Sequence, residues 1–377
     1  MEDYSFDLEK FPRSFSSRLS VFFSKNFDGE VRKLKKLFDF ILPNIPSVHF
    51  YVSLKDDIIY GALVLLNRSI WYNGIELDCC GLSFMAKEKE ISNKLIVNKL
   101  IKKVLDESKK STISIGFASK KMDNFWYRYG YIGIDNFSEF IIPIKKITVL
   151  ENKEIKIIKF HEKNLDDIIK IYNKTHKNIG LSFDRSKDEW NYILKKNKEQ
   201  FEFRIITLGH RIAAFFVYKK NEIFEVSYDC ESKILKKLIF NHFYDLNYSK
   251  ISFKLSLNHP FIEFLKGNDY SLFTRKVMRG GHIFRINNVK TFCFKIREKL
   301  ESELINLNII EYNFHFKGLN FIFKDSTLQL HFQNNFEETD VIRREFAKLF
   351  FGFQDLKGID KLLFNSKNVS FSKLDHF

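Results

Sequence analysis

The sequence predicts an α/β chain in which one mixed-sheet unit occurs twice and a smaller α/β unit follows. Three observations predict this. The order helix, antiparallel strands, helix, strand runs through residues 1–150 and again through 151–288, as a duplication would. From about residue 289 the text changes to one long helix, three short strands and a second helix. The length of 377 residues suits two to three domains.

In the first unit, Val31, Leu34, Leu37, Phe38 and Ile41 recur at helical spacing, and Pro43 and Pro46 end that helix. Strand-like runs follow at 48–54, 58–66 and 75–84, with turns at Lys55-Asp56-Asp57 and Tyr72-Asn73-Gly74. Segment 92–107 carries Val97, Leu100, Ile101, Val104 and Leu105 on one helical face. A strand at 111–117 and a short aromatic helix at 122–129, stopped by Gly130, complete the unit.

The second unit opens with Asn164 as a helix cap before Leu165, Ile168, Ile169 and Tyr172. Ser186 and Glu189 have capping-box spacing ahead of Trp190, Ile193 and Leu194. Strands are predicted at 203–208, 211–218 and 222–229, then a helix with Ile234, Leu235, Leu238, Ile239, His242 and Phe243 on one face, then a strand at 250–257. The last unit, 289–377, reads as a helix at 290–303, strands near 308–315, 319–324 and 327–332, and a helix at 340–350.

Composition narrows the function classes. The net charge is +15, but lysines are interspersed with acids and no RNP, zinc-finger or helix-turn-helix signature occurs, so nucleic acid is not the expected partner. Four cysteines lack CxxC spacing, and the adjacent Cys79 and Cys80 cannot form an ordinary bridge. No HExxH pattern suggests a metal. The acidic start is unlike a signal peptide, and no apolar run reaches about 18 residues, so no membrane span and a cytoplasmic setting are expected. The 43 phenylalanines, with abundant Lys, Ile and Asn, read as the bias of an AT-rich genome.

The segment Phe125-Trp126-Tyr127-Arg128-Tyr129-Gly130-Tyr131 resembles the end of the GNAT acetyltransferase core. Residues 79–105 are similar to its acetyl-CoA segment. The segments FDRSKDEWNYIL (183–194), VMRGGHIFRINNV (277–289) and REFAKLFFGFQDLKGI (344–359) resemble, in the same order, parts of the Eis (enhanced intracellular survival) type. That type fuses two GNAT folds to a domain like a sterol carrier protein. The resemblance implies a GNAT domain at 1–150, a second at 151–288 and a sterol-carrier-like domain at 289–377.

It also implies a site. Leu82, Phe84, Met85, Lys87, Lys89, Ser92, Asn93 and Lys94 fall where the family binds acetyl-CoA. A helix N-terminus holds the pyrophosphate there, and glycines let the backbone approach it. Here Lys89-Glu90-Ile91-Ser92-Asn93-Lys94 stands where the family has Arg-x-x-Gly-x-Gly, so both glycines are replaced and Glu90 adds an anion. The position of the family's proton-donating Tyr is Trp126, with Tyr127 about 100° around a helix. The family's terminal carboxylate base corresponds to Phe377. The implied activity is acetyl-CoA-dependent N-acetylation of a small-molecule or protein amine. The alternative is a non-catalytic GNAT scaffold that binds a partner or an apolar ligand. A homo-oligomer is compatible with either.

Overall fold

A computed structural model of the chain describes all residues except 1, 8–12, 28–30, 37, 39–47, 57, 89–93, 119–122, 135–137, 145, 148–154, 198–199, 256–258, 267–272, 277–280, 352–355 and 365–377. The chain opens with β1 (Glu2–Asp7) and helices α1 (Arg13–Phe27) and α2 (Val31–Lys36). An antiparallel meander of β2 (Val48–Lys55), β3 (Ile58–Tyr72) and β4 (Ile75–Lys87) follows. Helix α3 (Lys94–Ser108) crosses to β5 (Ile113–Ala118), parallel to β4, and α4 (Asp123–Tyr127), β6 (Ile132–Ile134) and β7 (Ser138–Pro143) come next.

The pattern then recurs. It comprises β8 (Ile155–Lys159), α5 (Leu165–His176), β9 (Leu181–Asp184), α6 (Lys187–Asn197), β10 (Glu202–Leu208), β11 (Arg211–Lys219), β12 (Glu222–Tyr228), α7 (Ser232–Asp245), β13 (Lys250–Leu255), α8 (Pro260–Lys266), β14 (Phe273–Lys276) and β15 (Gly281–Ile286). The chain continues with α9 (Val289–Asn306), a three-stranded meander of β16 (Tyr312–Phe316), β17 (Leu319–Lys324) and β18 (Thr327–Phe332), and helices α10 (Asp340–Phe350) and α11 (Gly358–Phe364).

The first sheet has the order β1-β2-β3-β4-β5-β15-β6, with β9 added to the end of β3; the second has β8-β10-β11-β12-β13-β7-β14. Strand for strand the two orders match, except that each sheet holds a strand from the other half. β15 lies between β5 and β6, antiparallel to both. β7 lies between β13 and β14, also antiparallel to both. The sheets therefore do not divide at one point in the chain.

Local signals explain most elements. Ser186 and Glu189 close the capping box at α6: Ser186 N–H donates to Glu189 Oε2 at 2.9 Å and Glu189 N–H to Ser186 Oγ at 3.2 Å. Asn164 does stand at the start of α5, but its side chain accepts from His161 N–H instead of capping the helix. On α3 Leu100, Ile101 and Val104 of the expected face are buried together with Ile96, while Val97 and Leu105 are half-buried. Gly130 ends the α4 segment at φ +81°, where a side chain would be strained, and α10 packs against it.

One face of the first sheet packs on α3 and α4 through Leu63, Leu65, Cys80, Ile96 and Trp126. Part of the other face shares a core with α1, α5 and α6. The C-terminal helices continue the first sheet's interior: Phe292, Phe346 and Phe350 join one cluster with Ile115, Phe183 and Phe284. Arg285 of β15 fastens this junction, donating to Tyr129 O at 2.9 Å, Asn287 Oδ1 at 2.8 Å and Asp340 Oδ1 at 3.0 Å. All four cysteines are free, and no described helix is long and apolar enough to cross a membrane.

Candidate active site

Strands β4 and β5 pair over only four residues, Cys79–Leu82 against Ile113–Gly116. Beyond Leu82, β4 runs on to Lys87 paired with β3, and among the described residues no strand receives the backbone donors and acceptors of its other edge. At this point β4 also carries a bulge. Val64 pairs with Phe84 and Leu65 with Leu82, which leaves Ser83 as the extra residue. A bulge bends its strand and re-aims the residues on it. The buried Ser83 Oγ has no hydrogen-bond partner among the described residues. Gly116 lets the strands converge at the apex: a Cβ there would lie 3.2 Å from Leu82 Cβ and 3.3 Å from Ile283 Cγ1.

A cleft of about 320 Å³ opens at this divergence, on the side of the sheet that faces α1. Six separated stretches of chain line it. Phe27 comes from α1, Leu66 and Arg68 from β3, and Phe183 from β9. Gly81–Phe84 and Ile115–Phe117 form its floor, and His282 comes from the exchanged strand β15. Arg68 is the permanent charge of this lining. Its Nε donates to Glu189 Oε1 at 2.5 Å, and its guanidinium lies 3.8 Å from the centre of the Phe183 ring. The capping-box glutamate thus also holds the cleft wall. The described lining includes no carboxylate. Asp184, next to Phe183, lies outside it; burial, with Glu76 and Glu189 nearby, pushes its carboxyl up to about 6.

No protein-family model and no curated sequence matches the chain. Solved structures do. A GCN5-related N-acetyltransferase from Anabaena variabilis superposes with TM-score 0.69 at 14% identity, covering 100% of both chains. One from Kribbella flavida gives 0.65 at 11%, covering 100% of this chain and 98% of that one. Eis1 from Mycobacterium abscessus gives 0.57 at 10%, covering 89% and 86%. The chain has the GNAT fold.

The second sheet repeats the device and fills it. β12 pairs with β13 at only Glu222 and Ile223, and it has its own bulge at Phe224 opposite Val217 and Tyr218. Past the bulge its groups are taken by α5 and the segment after β9. Glu225 accepts both terminal guanidinium nitrogens of Arg185, at 2.8 and 2.6 Å. Ser227 Oγ lies 3.1 Å from His176 Nε2, and Tyr228 N–H donates to Thr175 Oγ1 at 2.9 Å. Side chains of the protein thus occupy this opening, while the first stays open as a cleft.

The GNAT fold brings some of the expected site residues together and leaves others apart. Leu82 and Phe84 line the cleft, and Phe84 packs 5.2 Å from Phe23 and 5.9 Å from Phe27. Met85 turns to the opposite face, beside Leu63 and Ile96. Lys87 ends β4 and donates to Glu88 O at 3.4 Å. Lys89, Ser92, Asn93 and Phe377 lie outside the described residues, and Lys94 begins α3. Trp126 is buried 5.2 Å from Tyr131, away from the cleft. Tyr127 is exposed on α4, 3.9 Å beneath the Arg344 guanidinium. Sequence reasoning missed Phe27, Arg68, Phe183 and His282. The one available signal was the Ser186–Glu189 box, which anchors Arg68 but does not reveal it.

Proposed function

We propose that the chain is an acyl-CoA-dependent N-acyltransferase, with acetyl-CoA the acyl donor and an amine the acceptor. The observation that supports this most strongly is the divergence of β4 from β5 at the Ser83 bulge. An open strand edge suits an extended ligand that carries amides, because such a ligand completes the missing ladder. Residues Leu82–Lys87 would hold the pantetheine arm, and the start of α3, with Lys89 and Lys94, the phosphates. Backbone N–H groups near Phe84 would polarise the thioester carbonyl as negative charge develops on its oxygen. The amine would enter from the α1 side, through the cleft. The C-terminal unit, with its sterol-carrier-like sequence, would serve mainly to back the first sheet.

The second reading, a scaffold without catalysis, is favoured by the burial of Trp126 and by Ser92 and Lys94 standing where the family has glycine. Calorimetric titration with acetyl-CoA separates the two. The expected result is saturable but weak binding. The double variant S92G/K94G should tighten it at least tenfold, since one recovered hydrogen bond to a charged group is worth about 1.5–3 kcal/mol. No heat from either protein at millimolar acetyl-CoA would leave the scaffold reading standing.

A further inference from the structure

We propose that His282, carried into the first sheet by the exchanged strand, is the base that takes the acceptor amine's protons. This rests on the acyltransferase reading above. The position is determined by register. β15 pairs Ile283 with Gly116 and His282 with Phe117, so the histidine stands beside the last residue at which β4 and β5 are still joined. Ile283 turns to the α3 side, among Leu63, Cys80 and Ile96, and strand alternation sends the neighbouring His282 to the other face. There it lines the cleft.

The side chain is 4% exposed and is held by the Phe117 ring, edge-on at 5.6 Å between centroids, with Phe284 at 6.5 Å. On its other side β15 pairs with β6, placing Ile134 opposite it. Arg68 is the charged group of the same described lining. A guanidinium is a hydrogen-bond donor and not a proton acceptor in such a step. Ser83 is no base at neutral pH. Of these lining groups, imidazole is the one that ordinarily exchanges protons between pH 5 and 8.

The step balances. The ammonium form of the acceptor gives one proton to the imidazole, which passes it to water. The neutral nitrogen bonds to the thioester carbonyl carbon, and the carbon–sulfur bond breaks with CoA leaving as thiolate. The second nitrogen proton passes to the imidazole and from there to the thiolate. The products are an amide and free CoA thiol.

The test compares wild type with H282Q, and with H282N as a second variant. Acetyl-CoA binding is read by calorimetry, and CoA thiol release with tyramine, spermidine, lysine and glycinamide is followed from pH 5.5 to 9. The expected result is unchanged acetyl-CoA binding, a rate at pH 7 lower by about 100-fold or more, and loss of the limb that rises with pH in the wild type. Variants that keep the wild-type rate and profile overturn the inference, as does wild type that binds acetyl-CoA but releases no thiol with any of the four amines. A variant that loses acetyl-CoA binding together with activity assigns His282 a structural role and also overturns it. Absence of acetyl-CoA binding by both the wild type and S92G/K94G sinks the acyltransferase reading itself, a result distinct from the others.

Discussion

Arg185 and Glu225 meet through two hydrogen bonds, at 2.8 and 2.6 Å, in a place where their side chains are 0% and 1% exposed. The guanidinium also lies 4.3 Å from the Tyr172 ring and 4.7 Å from the Trp190 ring. The pair occupies the part of the second sheet that corresponds to the open cleft of the first. Removing one partner leaves an uncompensated buried charge, which costs about 3–5 kcal/mol. Glu225→Gln and Arg185→Met should each lower the unfolding free energy measured in urea by that much. A loss below about 1 kcal/mol for both would show that water reaches the site.

Beside this pair, burial pushes the His259 imidazole down to about 4, and burial together with His259 and Arg185 drives His176 lower as well. Both rings stay neutral in the fold, while in the unfolded chain they take up protons below about pH 6.5. Their stabilisation is therefore present above that pH and is lost as pH falls toward 4. For His259 alone the loss is about 3 kcal/mol at 1.36 kcal/mol per unit. Unfolding midpoints at pH 7.5 and 5 should reveal it, and His259→Asn should flatten the slope. Equal wild-type midpoints at the two values would contradict the assignment.

Gly116→Val places methyl groups where even a Cβ would be 3.2 Å from Leu82 and 3.3 Å from Ile283. Overpacking of this kind costs about 1–3 kcal/mol. The strands would have to part at the apex, so acetyl-CoA binding should fall at least tenfold. Thermal melting and calorimetry measure the two effects. Intact stability with unchanged binding would move the acyl-donor site elsewhere.

Arg285 and Asp340 join the exchanged strand to α10. A double-mutant cycle with Arg285→Met and Asp340→Asn should return a coupling of about 0.5–3 kcal/mol in urea unfolding. Additive effects would mean that this ion pair does not couple the exchanged strand to α10.

Legibility followed locality. The α6 capping box involves residues three apart and was visible as text. The divergence of strand 75–84 from strand 111–117 is what the resemblance to the GNAT core implies, and β4 and β5 do part beyond Leu82; the bulge and the cleft depend on pairing between strands, which no single segment encodes. The run at 58–66 predicts a shorter strand than β3, which continues to Tyr72 paired with β4 and, over its last four residues, with β9. That extension contains Arg68. Helix α1, with Phe27, begins well before the expected helix at Val31 and was not foreseen. His282 sits in a segment whose alternation announces a strand without saying which sheet receives it. Trp126 matched the family's pattern by position, yet its indole is core packing against Tyr131.

The reciprocal placement of β7 and β15 bears on how the chain is made. While it emerges from the ribosome, the first sheet has β5 and β6 in hand but not the strand between them. Ser114 waits for Asn287, 173 residues later, to complete its hydrogen bond. At about 5–20 residues per second the gap stays open for roughly ten to thirty seconds. During that time the edge of β5 is exposed, and the half-built cleft lacks His282. β7, already synthesised, likewise has no sheet to enter until β13 appears. The first sheet therefore cannot be completed until every strand of the second has been synthesised.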